Sequence, residues 1–259
     1  MSYSKRFSPL LLTALLGAPS AHPRPLHPRP ESRLPVPRPP AATGSISGTI
    51  LLSTALASRR PEFRIYAEPG TGALTPAHRT VNVSGEMKNV VIYLESSDRD
   101  ALTTTPRADS ARHGRIAQLD ENFTPHVLPV MQGASVDFPN EDDVFHNVFS
   151  LSSARTFDLG RYPRGSSKSV TFTRTGAVQV FCHIHGDMSA VILVLANPYF
   201  ASPDASGHYT LSDVPEGDYT IVGWHERART VTKRIHVSAG HVASADFNIP
   251  VPPGEAAGH

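Results

Sequence analysis

Short runs in which apolar and polar residues alternate recur along the chain from residue 45 onward. They are rich in Val, Ile, Thr and aromatic residues, and turns containing Gly, Pro or Asp separate them, which is typical of β-strands with one buried face. The strands predicted in this way cover residues 45–52, 63–66, 81–83, 89–94, 115–119, 126–130, 133–138, 144–149, 156–159, 169–173, 177–182, 190–195, 208–211, 218–224, 230–237 and 242–249. No long amphipathic helix is indicated. The sequence therefore predicts an all-β protein made of β-sandwiches.

The two ends of the chain differ from this pattern. Residues 1–21 begin with the basic pair Lys5 and Arg6, continue as a short apolar run and end in small residues, as a secretory signal peptide does. The alternative is a disordered N-terminus that happens to be apolar. The run is too short to span a bilayer comfortably and no other segment could span one, so we expect an exported, periplasmic protein with no membrane span after signal cleavage. Residues 22–43 are rich in Pro and Arg and predict an extended linker, and residues 251–259 predict a flexible tail.

One stretch of the chain combines several metal-binding side chains. Cys182 is the only cysteine, and together with His185 and Met188 it follows the spacing Cys-x2-His-x2-Met. A free thiol in an exported protein invites oxidation, whereas a thiolate bound to a metal escapes much of it, so a lone cysteine fits a ligand better than a scaffold. His146 lies upstream in another predicted strand. Two His, one Cys and a weak axial Met are the ligands of a blue-copper electron-transfer site.

Two other interpretations of these residues are weaker. Zinc binds Cys and two His, but a thioether is unusual as its fourth ligand. Isolated Cys, Met and His residues more often belong to a hydrophobic core, but here all four ligand types coincide in a strand followed by a loop. Because side chains alternate along a strand, Val178, Val180 and Cys182 should face one side, which predicts that the thiol points into the core.

The neighbours of these ligands carry further expectations. Asn147, next to His146, is a candidate for the residue that ties the two ligand segments together. His183 is expected to face outward in a structural role, and the acidic turn at residues 141–143 is expected to be solvated. Five further histidines show no shared spacing and are expected to be ordinary surface or core residues: His126, His208, His225, His236 and His241.

The segments 133–138, 146–148 and 182–188 resemble the cupredoxins, and the short loop from Cys182 to Met188 is most similar to that of amicyanin. The wider run resembles bacterial exported cupredoxin-domain proteins of the methylamine-utilisation type, and the resemblance covers about residues 115–201. It implies a Greek-key β-sandwich with one type 1 copper per chain. It also implies that electrons leave through the exposed edge of His185, where redox protein partners dock transiently. Thr175 stands where many cupredoxins have Pro, which removes no ligand.

The flanks of this segment resemble a second kind of domain. Residues 44–98 and 202–250 are similar to the two halves of a carboxypeptidase-regulatory-like, transthyretin-like β-sandwich. We therefore expect the cupredoxin domain to be inserted into a discontinuous second sandwich. The alternative is an N-terminal extension of the cupredoxin followed by a separate C-terminal module.

The sequence thus predicts a periplasmic carrier that transfers one electron at a time through type 1 copper, and not an enzyme. The alternative is a copper-binding, storage or cell-envelope interaction module without a carrier role. The segment around Cys182 partly resembles the last ligand segment of multicopper oxidases. The His-x-His pairs that a trinuclear centre needs are missing, and a binuclear copper site would need a second cysteine. The formal net charge of +1 gives no basic footprint for nucleic acid.

Overall fold

The computed structural model of the chain describes residues 42–53, 56, 83–95, 102 and 113–250. The predicted signal peptide, the linker up to residue 41, the strand at 63–66 and the C-terminal tail lie outside these residues. No helix in the described ranges is long and apolar enough to cross a membrane. The described chain is almost entirely β-structure, which confirms the predicted fold class.

One short helix, α1, spans Val83–Met87. In chain order the strands are β1 (Thr43–Leu52), β2 (Val91–Glu95), β3 (His113–Arg115), β4 (Ala117–Leu119), β5 (Asn122–Thr124), β6 (Val127–Met131), β7 (Ser135–Pro139), β8 (His146–Ser152), β9 (Arg155–Tyr162), β10 (Ser167–Thr171), β11 (Gly176–Phe181), β12 (Ser189–Leu195), β13 (Phe200–Ala201), β14 (His208–Pro215), β15 (Gly217–Trp224), β16 (Val231–Val237), β17 (Val242–Ser244) and β18 (Phe247–Ile249).

Strands β3 to β12 form what we call the central sandwich. One sheet has five strands in the order β6-β12-β11-β8-β9, the other has three in the order β10-β7-β3, and β4 and β5 form a hairpin. Both sheets contribute to one buried apolar cluster, with Val136 and Phe138 from β7 and Val178 and Val180 from β11. Cys182 belongs to the same cluster, so its predicted orientation into the core is confirmed.

Strands β1, β2 and β13 to β18 form what we call the flanking sandwich. In one sheet β1 pairs with β14, β17 and β18, and the other sheet has the order β13-β2-β15-β16. A second apolar cluster lies between them and includes Ile46 and Ile50 of β1 and Leu94 and Ile221 of the facing sheet. These pairings join strands that precede and follow the central sandwich in the sequence. The domain boundaries at 44–98, 115–201 and 202–250 stay a prediction, because strand pairing alone does not show where a folding unit ends.

A third apolar cluster joins the two sandwiches. It contains Val127 of β6, Val191, Leu193 and Leu195 of β12, and Val91 of β2, all buried. Three partly buried aromatic side chains of the flanking sandwich pack against it, Tyr93, Phe200 and Trp224. The outer face of the five-stranded sheet is therefore covered along β6 and β12 by the flanking sandwich.

The structure departs from the predicted strands in places with a local cause. Val83, expected to end a strand, begins helix α1. The predicted strand 242–249 is split into β17 and β18, because the chain crosses Gly48 of β1 there. A Cβ on Gly48 would lie 2.0 Å from the carbonyl oxygen of Ala245. The amide of Thr49 donates instead to the Asp246 carboxylate at 2.7 Å, which replaces a bond between strands.

Two predicted boundaries also shift by a few residues. Thr43, the last residue of the predicted linker, is the first residue of β1. His113 and Gly114, which precede the predicted strand 115–119, belong to β3, which pairs in parallel with β7. The first difference lengthens β1 by the pairing of Thr43 with Pro215, and the second adds the short edge strand β3. Such short pairings carry little signal in the sequence.

Candidate metal centre

The predicted ligands lie at one end of the central sandwich. His146 is the first residue of β8, and Cys182 follows directly after β11, the strand that pairs with β8. His185 and Met188 lie in the loop between β11 and β12. Two adjacent strands and one short loop therefore bring together residues that are far apart in the sequence.

Three donor atoms converge in this loop region. The Nδ1 atoms of His146 and His185 are 3.0 Å apart, and the rings meet at 67° with centroids separated by 4.8 Å. One ligand atom from each histidine and the sulfur of Cys182 all lie within 4.8 Å of one another. His146 and Cys182 are buried, and His185 is partly exposed. The arrangement is that of a site for one metal ion at the border between core and surface.

Met188 closes the loop behind these residues. Its side chain is buried and belongs to the same apolar cluster as Cys182. Its carbonyl accepts the N–H of Cys182 at 3.2 Å, and its own N–H donates to the carbonyl of His185 at 3.1 Å. The backbone thus holds the three loop residues together. Ligation by the thioether stays a prediction.

The orientation of His146 is fixed by a carboxylate. Its Nε2 donates to Oδ2 of Asp142 at 2.7 Å. Because a carboxylate only accepts, Nε2 carries the proton of this bond, and Nδ1 is the ring nitrogen that faces Cys182 and His185. Such a carboxylate partner orients a metal-binding histidine and increases its basicity. The predicted solvated turn is wrong for Asp142, whose side chain is 10% exposed, whereas Asp143 is 85% exposed.

Asp142 is itself held by the turn between β4 and β5. Its two oxygens accept the amides of Asp120 at 2.6 Å and Glu121 at 2.9 Å. Both turn residues have left-handed backbone angles, with φ of 52° and 54°, which cost a non-glycine residue on the order of 1 kcal/mol or more. Burial would raise the pKa of Asp142, but hydrogen bonds from the Glu121 amide and the His146 ring outweigh it and lower the pKa below its ordinary value. The carboxylate therefore stays ionised beside His146.

Asn147 connects three segments around the site. Its side chain is 2% exposed, and its Nδ2 donates to Oδ1 of Asp158 on β9 at 2.7 Å. Its Oδ1 accepts the backbone N–H of His183 at 3.4 Å. Hydrogen bonds from the Gly160 amide and from Asn147 hold the pKa of Asp158 below its ordinary value. Asn147 thus links the strand of His146 to the loop that begins at Cys182.

The sulfur of Cys182 has a hydrogen-bond donor of its own. The amide of Ile184 points at Sγ from 3.4 Å, within the range for bonds to sulfur. A donor to a thiolate stabilises its negative charge and influences the potential of a metal bound to it.

Three exposed apolar side chains lie beside the site. Val144, Phe145 and Ile184 are exposed by 43%, 52% and 37%, and they flank the segments of His146 and His185. His183 is exposed, as expected, and its ring stacks on Phe149 with centroids 3.6 Å apart at an angle of 5°. Its ring therefore packs against an aromatic side chain.

The donor set fits copper. A thiolate suits Cu(I), and imidazole suits both oxidation states, so one thiolate and two imidazole nitrogens suit a metal that alternates between Cu(I) and Cu(II). His146 has its Nε2 satisfied and its Nδ1 directed at the other donors, which is the state that ligation requires. The structure therefore brings together His146, Cys182 and His185, with Met188 and Asn147 adjacent in the fold.

Sequence reasoning missed Asp142, and it also missed the roles of two histidines. His126 bonds the carbonyl of Ser189 at 2.9 Å and the carboxylate of Glu226 at 2.7 Å. His225 is buried and bonds Glu86 at 2.9 Å. A carboxylate four residues before His146 was a usable signal for Asp142, whereas the histidine pairs depend on packing between distant segments.

Comparison with known proteins gives weak likenesses. No protein-family model and no curated protein matches the chain. Solved structures that resemble it include a purple cupredoxin from Nitrosopumilus maritimus, at 19% identity and a TM-score of 0.30 over 32% of this chain and 99% of that one. The reduced Cu(I) form of an amicyanin mutant has 18% identity and a TM-score of 0.31 over 40% of this chain and 98% of that one.

A copper-containing nitrite reductase from Thermus scotoductus SA-01 has 20% identity and a TM-score of 0.31, over 57% of this chain and 28% of that one. These neighbours are cupredoxin-type proteins, but likenesses at this level carry no argument about function.

Proposed function

We propose that this protein is an exported electron carrier with one type 1 copper per chain. Cys182, His146 and His185 would hold the copper as its strong ligands, and Met188 would be the weak fourth ligand. The observation that carries the proposal is the convergence of two imidazole nitrogens and one thiol sulfur within 4.8 Å. When bound, the copper supplies the one-electron couple between Cu(II) and Cu(I).

The role of the chain is to keep the donors in place during that change. His146 is fixed by the Asp142 carboxylate, and Asp142 is fixed by two backbone amides. Cys182 is held in a dry core by the β11 strand and by the backbone bond to Met188. Donors that move little between oxidation states keep the reorganisation small, which favours rapid electron transfer.

The partially exposed His185 and the apolar surface around it are the proposed docking face. Val144, Phe145 and Ile184 offer exposed apolar area there without a charged side chain among the three. A small apolar contact desolvates easily and releases its partner quickly, which suits transient docking of redox proteins. We propose such partners, and a periplasmic location, on this basis and on the signal-like N-terminus.

We propose a carrier and not an enzyme, because the sequence has neither the further His-x-His pairs of a trinuclear copper centre nor the second cysteine of a binuclear one. Within the described ranges, one group of three His, Cys, Asp or Glu side chains is close enough to hold a metal ion. Copper oxidases and reductases combine a type 1 centre with further copper. A copper storage or envelope-interaction module remains the alternative, since it could use the same donors without reversible redox chemistry.

Copper counting and a redox titration of the purified protein test the proposal. We expect one copper per chain, an intense visible absorption from the thiolate–copper bond, and full recovery of that absorption after reduction and reoxidation. Two or more coppers per chain would favour an enzyme. Copper that leaves on reduction, or that cannot be cycled, would favour storage and contradict the carrier proposal.

A further inference from the structure

A series of hydrogen bonds connects the flanking sandwich to the loop between β11 and β12, which carries His185 and Met188. It begins at Glu226, which lies just after β15 in the flanking sandwich, and passes to His126, which directly precedes β6. His126 then bonds the carbonyl of Ser189 at 2.9 Å. Ser189 directly follows Met188, the proposed axial ligand.

Each ring nitrogen of His126 contacts a polar oxygen. Nε2 lies 2.7 Å from the carboxylate of Glu226, and Nδ1 lies 2.9 Å from the carbonyl oxygen of Ser189. The side chains of His126 and Glu226 are 22% and 19% exposed, and hydrogen bonds to charged groups gain strength when water is partly excluded. The backbone carbonyl of His126 also accepts the amide of Val191 on β12, at 2.7 Å. His126 thus holds the first residues of β12 from both its side chain and its backbone.

The segment that carries Glu226 is anchored inside the flanking sandwich. His225, the preceding residue, is buried and its Nε2 bonds the buried Glu86 at 2.9 Å. Its Nδ1 accepts the amide of Arg227 at 3.2 Å, and its carbonyl accepts the amide of Ala228 at 3.1 Å. Glu226 is therefore presented by a turn that is fixed on both sides.

The position of Met188 depends on the same region. On one side its backbone bonds Cys182 and His185. On the other side it continues into Ser189, whose carbonyl is held by His126. The apolar cluster between the sandwiches lies directly beyond, at Val191 and Val127. A displacement of the flanking sandwich would therefore move Ser189 through His126, and with it the neighbouring Met188.

We propose that the flanking sandwich tunes the copper centre, with His126 and Glu226 as positioning residues for the axial ligand. This rests on the proposed function, because the distance of the axial ligand sets the potential of a type 1 copper. The flanking sandwich is thereby part of the redox unit. It holds Met188 at a fixed distance from the other ligands and so limits the range of the potential.

Three substitutions separate the parts of this chain of contacts. In His126→Asn the amide nitrogen can replace Nδ1 and keep Ser189, but it loses Glu226. In His126→Gln the nitrogen can replace Nε2 and keep Glu226, but it loses Ser189. Glu226→Gln leaves a side chain that can still bond His126, leaves the bond between His126 and Ser189 in place, and removes the negative charge. His236→Gln is the matched control, because His236 pairs with Asp218 in the same sandwich with 58% and 89% of the side chains exposed.

The reduction potential and the shape of the visible spectrum are the readouts in copper-loaded protein. We expect each of the three variants to change the Cu(II)/Cu(I) equilibrium constant by roughly threefold to tenfold, where tenfold is about 59 mV for a one-electron couple. The relative intensities of the absorption bands should change with it. His236→Gln should leave both unchanged. If only His126→Gln shifts the potential, the effect is local to Ser189 and the proposed role of the flanking sandwich is overturned.

Amide hydrogen exchange in metal-free protein gives a second readout. Glu226→Gln and His126→Asn should accelerate exchange of the Met188 and Val191 amides, with no change in His236→Gln. If Glu226→Gln and His126→Asn leave the exchange rates unchanged, the proposal is contradicted. It is also contradicted if they leave the reduction potential unchanged. A wild-type protein that binds no copper would instead refute the proposed function, and the exchange experiment would still decide whether the sandwich holds the loop.

Discussion

Each sandwich contains a buried histidine bonded to a carboxylate through Nε2. The two histidines differ in what the other ring nitrogen, Nδ1, contacts. In the flanking sandwich, His225 donates from Nε2 to Glu86 and accepts the Arg227 amide at Nδ1, so both ring nitrogens are satisfied. In the central sandwich, His146 donates from Nε2 to Asp142, while its Nδ1 faces His185 and the sulfur of Cys182.

This difference separates a structural histidine from a candidate ligand. Burial and a carboxylate partner are common to both rings, so neither feature alone indicates a metal site. What distinguishes His146 is that its Nδ1 faces other atoms that can bind a metal, Nδ1 of His185 and the sulfur of Cys182. The comparison predicts that removing His225 affects folding, and that removing His146 affects metal binding.

The largest expected effect comes from truncating each histidine in turn. His225→Ala leaves a cavity and removes two hydrogen bonds at a fully buried position, so it should lower the free energy of unfolding by about 3 kcal/mol. It should leave one copper per chain. His146→Ala should abolish tight copper binding. Denaturant unfolding of metal-free protein and metal analysis of folded protein measure the two effects, and loss of copper from folded His225→Ala would contradict the distinction.

The second-largest expected effect comes from neutralising Asp142, the carboxylate that bonds His146. Asp142→Asn should weaken copper binding by about tenfold to a hundredfold, because the partner that orients His146 loses its charge. Removing a negative charge also disfavours Cu(II) relative to Cu(I), so the potential should rise. Asp143→Asn is the control, since Asp143 is exposed and pairs with Arg164. Equal effects of the two substitutions would point to general surface charge instead of the bond to His146.

The sequence allowed much of the site to be predicted because its signal is local. The spacing of Cys182, His185 and Met188 fits one short loop, and strand alternation placed Cys182 in the core. His146 was identified by the ligand set that it completes. Asn147 was identified by its place beside that histidine.

Other parts could not be predicted because they depend on tertiary packing. Asp142 lies in an acidic turn that is typical of solvated charge, and its burial depends on the amides of Asp120 and Glu121 in another hairpin. His126 and Glu226 are 100 residues apart, and they meet only because the two sandwiches pack through β6 and β12. Strand 242–249 was predicted as continuous because nothing in the sequence of this segment shows that Ala245 packs closely against Gly48 of β1.

The smallest expected effect is a pH dependence in the flanking sandwich. Asp204 accepts hydrogen bonds from the Ser206 hydroxyl and the His208 amide, which lower its pKa below its ordinary value of 3.8. A lowered folded-state pKa stabilises the fold above the unfolded value, and the contribution is lost as pH falls through the folded value. Wild type should therefore be slightly more stable than Asp204→Asn at neutral pH, and the difference should shrink below about pH 4. A difference that stays constant between these pH values would contradict this origin.

Titration of the metal-free protein with Cu(II), followed by visible absorption, tests the convergence of Cys182, His146 and His185 most directly. Wild type should develop one intense thiolate-to-copper band that saturates at one equivalent, and Cys182→Ser should develop none. A band of equal intensity in Cys182→Ser, or no band in folded wild-type protein at saturating copper, would contradict a copper centre built from these three side chains.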